Sequence, residues 1–146
     1  EICRKLSREL ARDGEGATKL LVCKVAGAPT FEDAKKAAKA VICSSLVKAA
    51  MFGADANWGR VLCALGYSGA AIDIHTVGVS FASKTGKIEV CRDGAGIPFS
   101  EEIAKKVLTE EEILIDVTVR SGECEAEAYG CDLTYDYVKI NGDYRT

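Results

Sequence analysis

The stretch Asp13-Gly-Glu-Gly-Ala-Thr-Lys19 has the most unusual arrangement of chemically active groups in this sequence. Glycines on both sides of Glu15 free the backbone, so the carboxylate can be aimed into a cleft and can pair with a ligand ammonium. A second interpretation is a phosphate cradle, and a third is a plain helix-to-strand turn with a solvated glutamate. The phosphate cradle is disfavoured because the Gly-x-x-x-x-Gly-Lys-Ser/Thr spacing is absent and the glycines precede a strand.

The C-terminal segment 130–146 is the second candidate region. Its apolar side chains predict a short helix with a buried face: Leu133, Val138 and Ile140. The pair Asn141-Gly142 is suited to ending that helix in the left-handed region. A docked terminus of this kind can present polar groups to a site, although the same pattern also fits a helix that is packed for stability alone.

Trp58 and His75, the only tryptophan and the only histidine of the sequence, are further candidates for a functional role. Asn57 is suited to capping a helix, which favours a structural role for the neighbouring Trp58 over stacking on a ligand. His75 has no Ser, Cys or Asp partner in a recognisable motif, so it receives no catalytic role. The roles of Trp58, Arg60 and His75 stay open. The sequence contains no G-x-S-x-G motif, metal-spaced cluster or dinucleotide fingerprint, so we predict no metal and no cofactor.

Hydrophobic periodicity predicts an α/β (α+β) fold in which layered β-sheets are covered by helices. The first helix is amphipathic, with Ile2, Leu6 and Leu10 on its apolar face. Glutamates alternating with small residues over 123–129 predict an antiparallel strand with one solvent-facing side. The predicted helices cover 1–12, 31–52 (one helix, or two broken near Ser44), 61–67, 100–108 and the tail. The predicted strands cover 19–25, 71–74, 77–81, 87–91, 113–119 and 123–129. The turn Thr85-Gly86 predicts a hairpin of 77–81 with 87–91, and 113–119 with 123–129 is expected to form a second hairpin.

Length and charge narrow the functional classes. The 146 residues fit one domain or a substantial piece of a larger one, and the net charge of −3 without a basic stripe argues against a nucleic-acid partner. Without an apolar run of about 18 residues or a signal peptide, the chain is predicted to be cytoplasmic, with no membrane partner.

Seven cysteines without a CxxC pair are expected to be reduced core residues. Because the chain starts at Glu1, we expect a processed or cut product.

Five motifs, in this order along the chain, resemble the ornithine acetyltransferase family, the bifunctional glutamate N-acetyltransferases of arginine biosynthesis. They are Asp13-Gly-Glu-Gly-Ala-Thr-Lys19, Ser45-Leu-Val-Lys-Ala-Ala50, Phe52-Gly-Ala-Asp-Ala-Asn-Trp-Gly-Arg60, Gly66-Tyr-Ser-Gly69 and the tail 130–146. By this resemblance, residues 1–146 are the C-terminal part of the β chain. The sequence departs from the family pattern at Ala56, where proline is common, and at Gly142, where alanine is common.

The resemblance implies a precursor that cleaves itself before a threonine into α and β chains. The new N-terminal threonine is the nucleophile, which takes the acetyl group as an acyl-enzyme. The α chain contributes the oxyanion hole, and the assembly is expected to be α2β2. That threonine lies upstream of Glu1. We therefore expect no catalytic residue in this chain and no activity from the chain alone.

The resemblance also assigns three substrate-binding residues: Glu15, Asn141 and Thr146. The expected substrates are N-acetylornithine and glutamate, and acetyl-CoA stays open as a second acetyl donor. Glu15 can pair with a substrate ammonium, while Asn141 and Thr146 can hydrogen-bond a carboxylate or amide. Two other functions are kept: an N-terminal-nucleophile amidase or aminopeptidase of related architecture, and a non-catalytic binding or structural subunit.

Overall fold

Residues 1–144 of the 146-residue chain are described by a computed structural model with an α+β fold, which confirms the predicted class. The helices are α1 (Ile2–Arg12), α2 (Phe31–Cys43), α3 (Ser45–Phe52), α4 (Trp58–Gly66), α5 (Glu101–Leu108) and α6 (Tyr135–Asp143), with a 3-10 turn at Ile74–Thr76. The strands are β1 (Leu20–Ala28), β2 (Gly78–Ser83), β3 (Gly86–Arg92), β4 (Ala95–Gly96), β5 (Glu112–Thr118) and β6 (Cys124–Cys131).

Side-chain caps fix where most of these helices begin. Each cap accepts a hydrogen bond from a backbone N–H that would otherwise lack a partner in the first turn. Ser44 ends α2 and caps α3, so the predicted stretch 31–52 forms two helices and not one. The capping residues are Thr30 (α2), Ser44 (α3), Asn57 (α4), Ser100 (α5) and Thr134 (α6).

The strands form one six-stranded sheet in the order β4-β3-β2-β5-β1-β6. Strand β1 lies between β5 and β6, pairing parallel with β5 and antiparallel with β6. The predicted hairpin of 113–119 with 123–129 is therefore wrong, whereas that of 77–81 with 87–91 is confirmed by the antiparallel pairing of β2 with β3. Periodicity indicates which residues form a strand, but it carries no information on which strand is the neighbour. The predicted strand 71–74 is also absent, and Asp73 instead caps the 3-10 turn.

Helix α2 packs closely against β1 and β6 through a face of small residues. Ala34, Ala37, Ala38 and Val41 are fully buried. On β6, a Cβ at Gly130 would lie 2.3 Å from Cγ2 of Ile42, so only glycine permits this approach of helix to strand. This packing brings the C-terminal ends of α2 and β6 together, beside the start of α3.

Helix α1 packs on the sheet with its charged face and not with its apolar face. Arg8 and Arg12 both pair with Glu112 of β5, and Arg8 also lies 5.8 Å from the ring centre of Tyr129. The apolar face that sequence periodicity identified is exposed: Ile2 (75%), Leu6 (57%) and Leu10 (78%). The helix itself is confirmed, whereas the usual rule that its apolar face covers the core is not followed.

The cysteines are only partly core residues. All seven lie within residues 1–144, and none forms a disulfide. Cys23 and Cys91 are buried, and burial raises the pKa of both thiols. The prediction that the cysteines fill the core therefore holds only for Cys23 and Cys91. The other five are exposed or half-buried: Cys3, Cys43, Cys63, Cys124 and Cys131.

Candidate functional site

The two glycines beside Glu15 allow its loop to lie directly against the start of α6. Gly16 has a φ of +67°, and a Cβ there would lie 2.7 Å from the backbone N of Tyr137. A Cβ at Gly14 would lie 2.5 Å from Sγ of Cys131. The motif is thus more than a flexible turn, because its glycines are needed for contact with a segment more than 100 residues away in sequence.

Two buried side chains hold this contact together. Asp132 is 3% exposed and accepts hydrogen bonds from the backbone N of Thr18 (2.8 Å), the Thr18 hydroxyl (2.5 Å) and the backbone N of Lys19 (2.9 Å). Thr134 donates its hydroxyl proton to the carbonyl of Gly16 (2.6 Å) and accepts from the N–H of Tyr137 (3.1 Å). The same residue therefore caps α6 and ties that helix to the Glu15 loop.

Glu15 and Asn141, 126 residues apart in sequence, meet at this junction. Nδ2 of Asn141 donates to Oε2 of Glu15 at 2.7 Å and to the carbonyl O of Tyr137 at 2.9 Å. The second bond holds the amide against its own helix, and both Glu15 and Asn141 are exposed to solvent. Thr146, the third predicted substrate-binding residue, lies outside the described residues.

A cavity of about 270 Å³ opens beside Glu15. This volume is just below the roughly 300 Å³ at which small-molecule pockets usually begin. The cavity contains acidic, cationic and hydroxyl groups that suit a small zwitterionic ligand. Its lining residues are Gly14, Glu15, Cys43, Ser45, Lys48, Cys131, Asp132, Leu133 and Tyr137.

Sequence reasoning assigned no role to Lys48 or Asp132, although both lie in segments that carry the family resemblance. Lys48 is part of the stretch 45–50, and Asp132 belongs to the tail. The signal was therefore present as a motif. Only the fold shows that these two segments line the same cavity as Glu15.

Lys19 is a structural residue in this fold and not a ligand for a phosphate. Its Nζ donates to the carbonyl O of Met51 (2.6 Å) and of Leu108 (2.8 Å), near the C-terminal ends of α3 and α5. Burial lowers the pKa of this ammonium, and the charge of Asp132 opposes that shift. Lys19 thus satisfies helix carbonyls that lack intrahelical partners.

Trp58, Arg60 and His75 lie away from the cavity. The indole packs on β4, where a Cβ at Gly96 would lie 2.4 Å from Cζ2 of Trp58, so the expected structural role is supported. Nη1 of Arg60 donates to the carbonyl of Leu46 at 2.9 Å. His75 is exposed in the 3-10 turn.

The tail helix is attached mainly at its beginning. The ring of Tyr135 packs edge-on against Phe52, with 5.2 Å between ring centres. Val138 and Ile140 are 60% and 43% exposed, so the predicted burial of these two side chains is wrong within residues 1–144. Gly142 lies inside α6 and has no left-handed φ, because the helix continues to Asp143.

A larger cavity, of about 590 Å³, lies between α1, α2 and the edge strand β6. None of the predicted substrate-binding residues in the described range lines it. The smaller cavity, which Glu15 lines, is therefore the better candidate site. The described part of the chain contains no helix able to cross a membrane and no cluster of three or more His, Cys, Asp or Glu side chains arranged to hold a metal ion.

The fold and cavity define an α+β domain whose C-terminal helix and Glu-containing loop form one site. All 146 residues match the ArgJ family, and the chain belongs to that family of arginine-biosynthesis enzymes. It is 56% identical over 142 residues to the arginine biosynthesis bifunctional protein ArgJ 1 of Clostridium acetobutylicum, covering 97% of this chain and 35% of the relative. It is 49% identical over 149 residues to the glutamate N-acetyltransferase of Methanothermobacter thermautotrophicus, covering 99% of this chain and 37% of the relative.

The same family is found among solved structures. The crystal structure of the arginine biosynthesis bifunctional protein ArgJ from Bacillus halodurans superimposes with a TM-score of 0.90 at 44% identity. The match covers 98% of this chain and 66% of that chain. The chain spans 35% and 37% of the length of the two curated relatives described above.

Proposed function

We propose that residues 1–146 are the C-terminal part of the β chain of a glutamate N-acetyltransferase of the ornithine acetyltransferase type. In the complete enzyme, an acetyl group passes from N-acetylornithine to a threonine nucleophile and then to glutamate. The threonine lies outside this chain, in the upstream part of β, and becomes an N-terminus when the precursor cleaves itself. This chain contributes substrate binding and not the nucleophile, so it is inactive alone.

The observation that carries this proposal is the 2.7 Å hydrogen bond from Asn141 to Glu15 at the edge of the cavity. Two residues with matching positions in the family motifs meet across 126 positions of sequence. The bond occupies Oε2 of Glu15 and leaves the other carboxylate oxygen for a substrate ammonium. By the family resemblance, Thr146, which lies outside the described residues, is proposed as a third substrate-binding residue.

The exposed apolar side chains support the partners assigned to this chain. Ile2, Leu6 and Leu10 form a stripe on α1 that the described residues leave uncovered. Such a stripe is typical of a surface that packs against another segment or subunit. In this proposal, the upstream part of β and the α chain complete the assembly as α2β2 in the cytoplasm. No metal or cofactor takes part, and acetyl-CoA is a second donor to be tested.

The test uses the complete enzyme and measures acetyl transfer from N-acetylornithine to glutamate. Glu15→Gln and Asn141→Ala are expected to lower kcat/KM by about ten- to hundredfold, the value of a lost hydrogen bond to a charged group. Glu123→Gln is the matched control, because Glu123 is exposed and does not line the cavity. It should leave transfer unchanged.

Two results would contradict the assignment. Wild-type transfer by both site variants would remove Glu15 and Asn141 from the substrate site. Release of acetate without transfer to glutamate, by the unmodified enzyme, would instead indicate the amidase alternative. The same assay with acetyl-CoA as the only acetyl donor tests whether the enzyme also acetylates glutamate from that compound.

A further inference from the structure

Lys48 lines the 270 Å³ cavity together with Glu15. It is the only lysine or arginine among the nine lining residues, all of which lie in the described part of the chain. Its side chain is half-buried, and within residues 1–144 it forms no ion pair shorter than 4.0 Å. The cavity therefore contains an ammonium group that the described acids do not neutralise directly.

The backbone of Lys48 is held on both sides. Its N–H donates to the carbonyl of Ser44 (2.9 Å), and its carbonyl accepts from the N–H of Leu133 (3.2 Å). Ser44 is buried and caps α3. Leu133 follows Asp132, which binds the Glu15 loop. The position of Lys48 is thus tied to the same junction that positions Glu15.

The two acids of the cavity already have other partners. Asp132 is occupied by three donors from Thr18 and Lys19. Glu15 is held through Oε2 by Asn141. The carboxylate of Asp132 is therefore committed to the loop, whereas Glu15 keeps one free carboxylate oxygen and Lys48 an ammonium that no described acid contacts directly.

We infer that Lys48 is a specificity-determining residue that binds the side-chain carboxylate of glutamate, while Glu15 binds the side-chain ammonium of ornithine. This inference rests on the proposed function. The two amino acids share an α-amino-acid end and differ in the charge of the side-chain end. With Glu15 alone, bound glutamate would place two carboxylates side by side, which is unfavourable. An ammonium in the same cavity offsets that repulsion and forms a charge-assisted hydrogen bond.

The experiment compares Lys48→Met and Lys48→Arg in the complete enzyme, with the two half-reactions measured separately. Lys48→Met should raise KM for glutamate by about ten- to hundredfold while KM for N-acetylornithine stays within about threefold of wild type. Lys48→Arg should restore most of the affinity for glutamate. Glutamine, the neutral analogue, serves as a second acceptor, and the preference for glutamate over glutamine should disappear in Lys48→Met.

An unchanged KM for glutamate, or an equal rise in KM for both substrates, would overturn the role of Lys48. If Lys48→Met does not assemble, Lys48→Gln takes its place in the same comparison. A preference for glutamate over glutamine that persists in that variant would also overturn the role of Lys48. These outcomes leave the proposed function standing as long as the wild-type enzyme transfers acetyl groups. A wild-type enzyme that transfers none would refute the proposed function itself.

Discussion

Replacing Asp132 by alanine should release the Glu15 loop from the start of α6. The carboxylate accepts two backbone hydrogen bonds, from Thr18 (2.8 Å) and Lys19 (2.9 Å), and one from the Thr18 hydroxyl. A hydrogen bond to a charged group contributes about 1.5–3 kcal/mol. The donors are only partly buried, so each of the two backbone bonds contributes about 1.5 kcal/mol, the lower end of that range. Asp132→Ala should therefore reduce the local stability of the loop by about 3 kcal/mol.

Amide hydrogen exchange in the complete enzyme measures this effect locally. A loss of about 3 kcal/mol corresponds to a decrease of roughly a hundredfold in the protection of the Thr18 and Lys19 amides. Asp132→Asn should cost less, since the amide oxygen still accepts from the backbone and the Thr18 hydroxyl can accept in turn. Asp13→Ala is the matched control, because Asp13 is an exposed residue at the end of α1 whose side chain has no described hydrogen bond.

Asp132 does not hold the loop if Asp132→Ala changes the protection of these two amides no more than Asp13→Ala does. A decrease spread evenly over the whole chain would also contradict this role of Asp132, since the structure confines the effect to the junction of the Glu15 loop with the tail.

Two further predictions concern backbone geometry and pH. Gly16→Ala should destabilise the enzyme by about 1–2 kcal/mol and lower acetyl transfer, because φ is +67° and the new Cβ would meet Tyr137. Gly142→Ala should instead stabilise it by up to about 1 kcal/mol, because Gly142 lies inside α6 with open space around it. Equal shifts of the unfolding temperature in the two variants would contradict this difference. Hydrogen bonds from the Thr30 hydroxyl and the Ala71 N–H hold the pKa of Asp33 below its ordinary value of 3.8, so its contribution to stability is present above that value and is lost as the pH falls through the lower folded value. The unfolding midpoint of Asp33→Asn should therefore depend less on pH below about 4 than that of wild type, and identical pH profiles would refute it.

Local signals predicted most helices and strands. Thr30 and Ser100 cap the helices that begin where the periodicity predicts them, and the break at Ser44 follows from a hydroxyl that ends one helix and caps the next. The order of the strands was not predictable in the same way. Insertion of β1 between β5 and β6 depends on tertiary pairing, which a period of two residues does not encode.

Helix α1 shows a second limit of sequence patterns. Its period identifies a helix with an apolar face, but the residues that face the sheet are Arg8 and Arg12, which pair with Glu112. The described residues leave the apolar face uncovered. A hydrophobic stripe therefore predicts that a face will be covered, while the identity of the covering surface requires knowledge of the whole assembly.

The site was predictable in part. Glu15 and Asn141 were identified from motifs, and the structure brings them within hydrogen-bonding distance. The supporting residues Asp132 and Thr134, and the cation Lys48, were not identified. These three residues act through contacts between segments far apart in sequence, which the sequence does not show. The family resemblance identifies only residues that contact a substrate.

In the proposed site Glu15 and Asn141 act together on one substrate, and a double-mutant cycle on acetyl transfer measures this coupling. The kcat/KM for N-acetylornithine is measured for the complete wild-type enzyme, for Glu15→Gln, for Asn141→Ala and for the double variant. We predict a coupling free energy of about 1 kcal/mol or more, because removing Asn141 also releases the carboxylate to which it donates a hydrogen bond. Strictly additive losses, or no loss in either single variant, would show that the two side chains do not act together on the substrate.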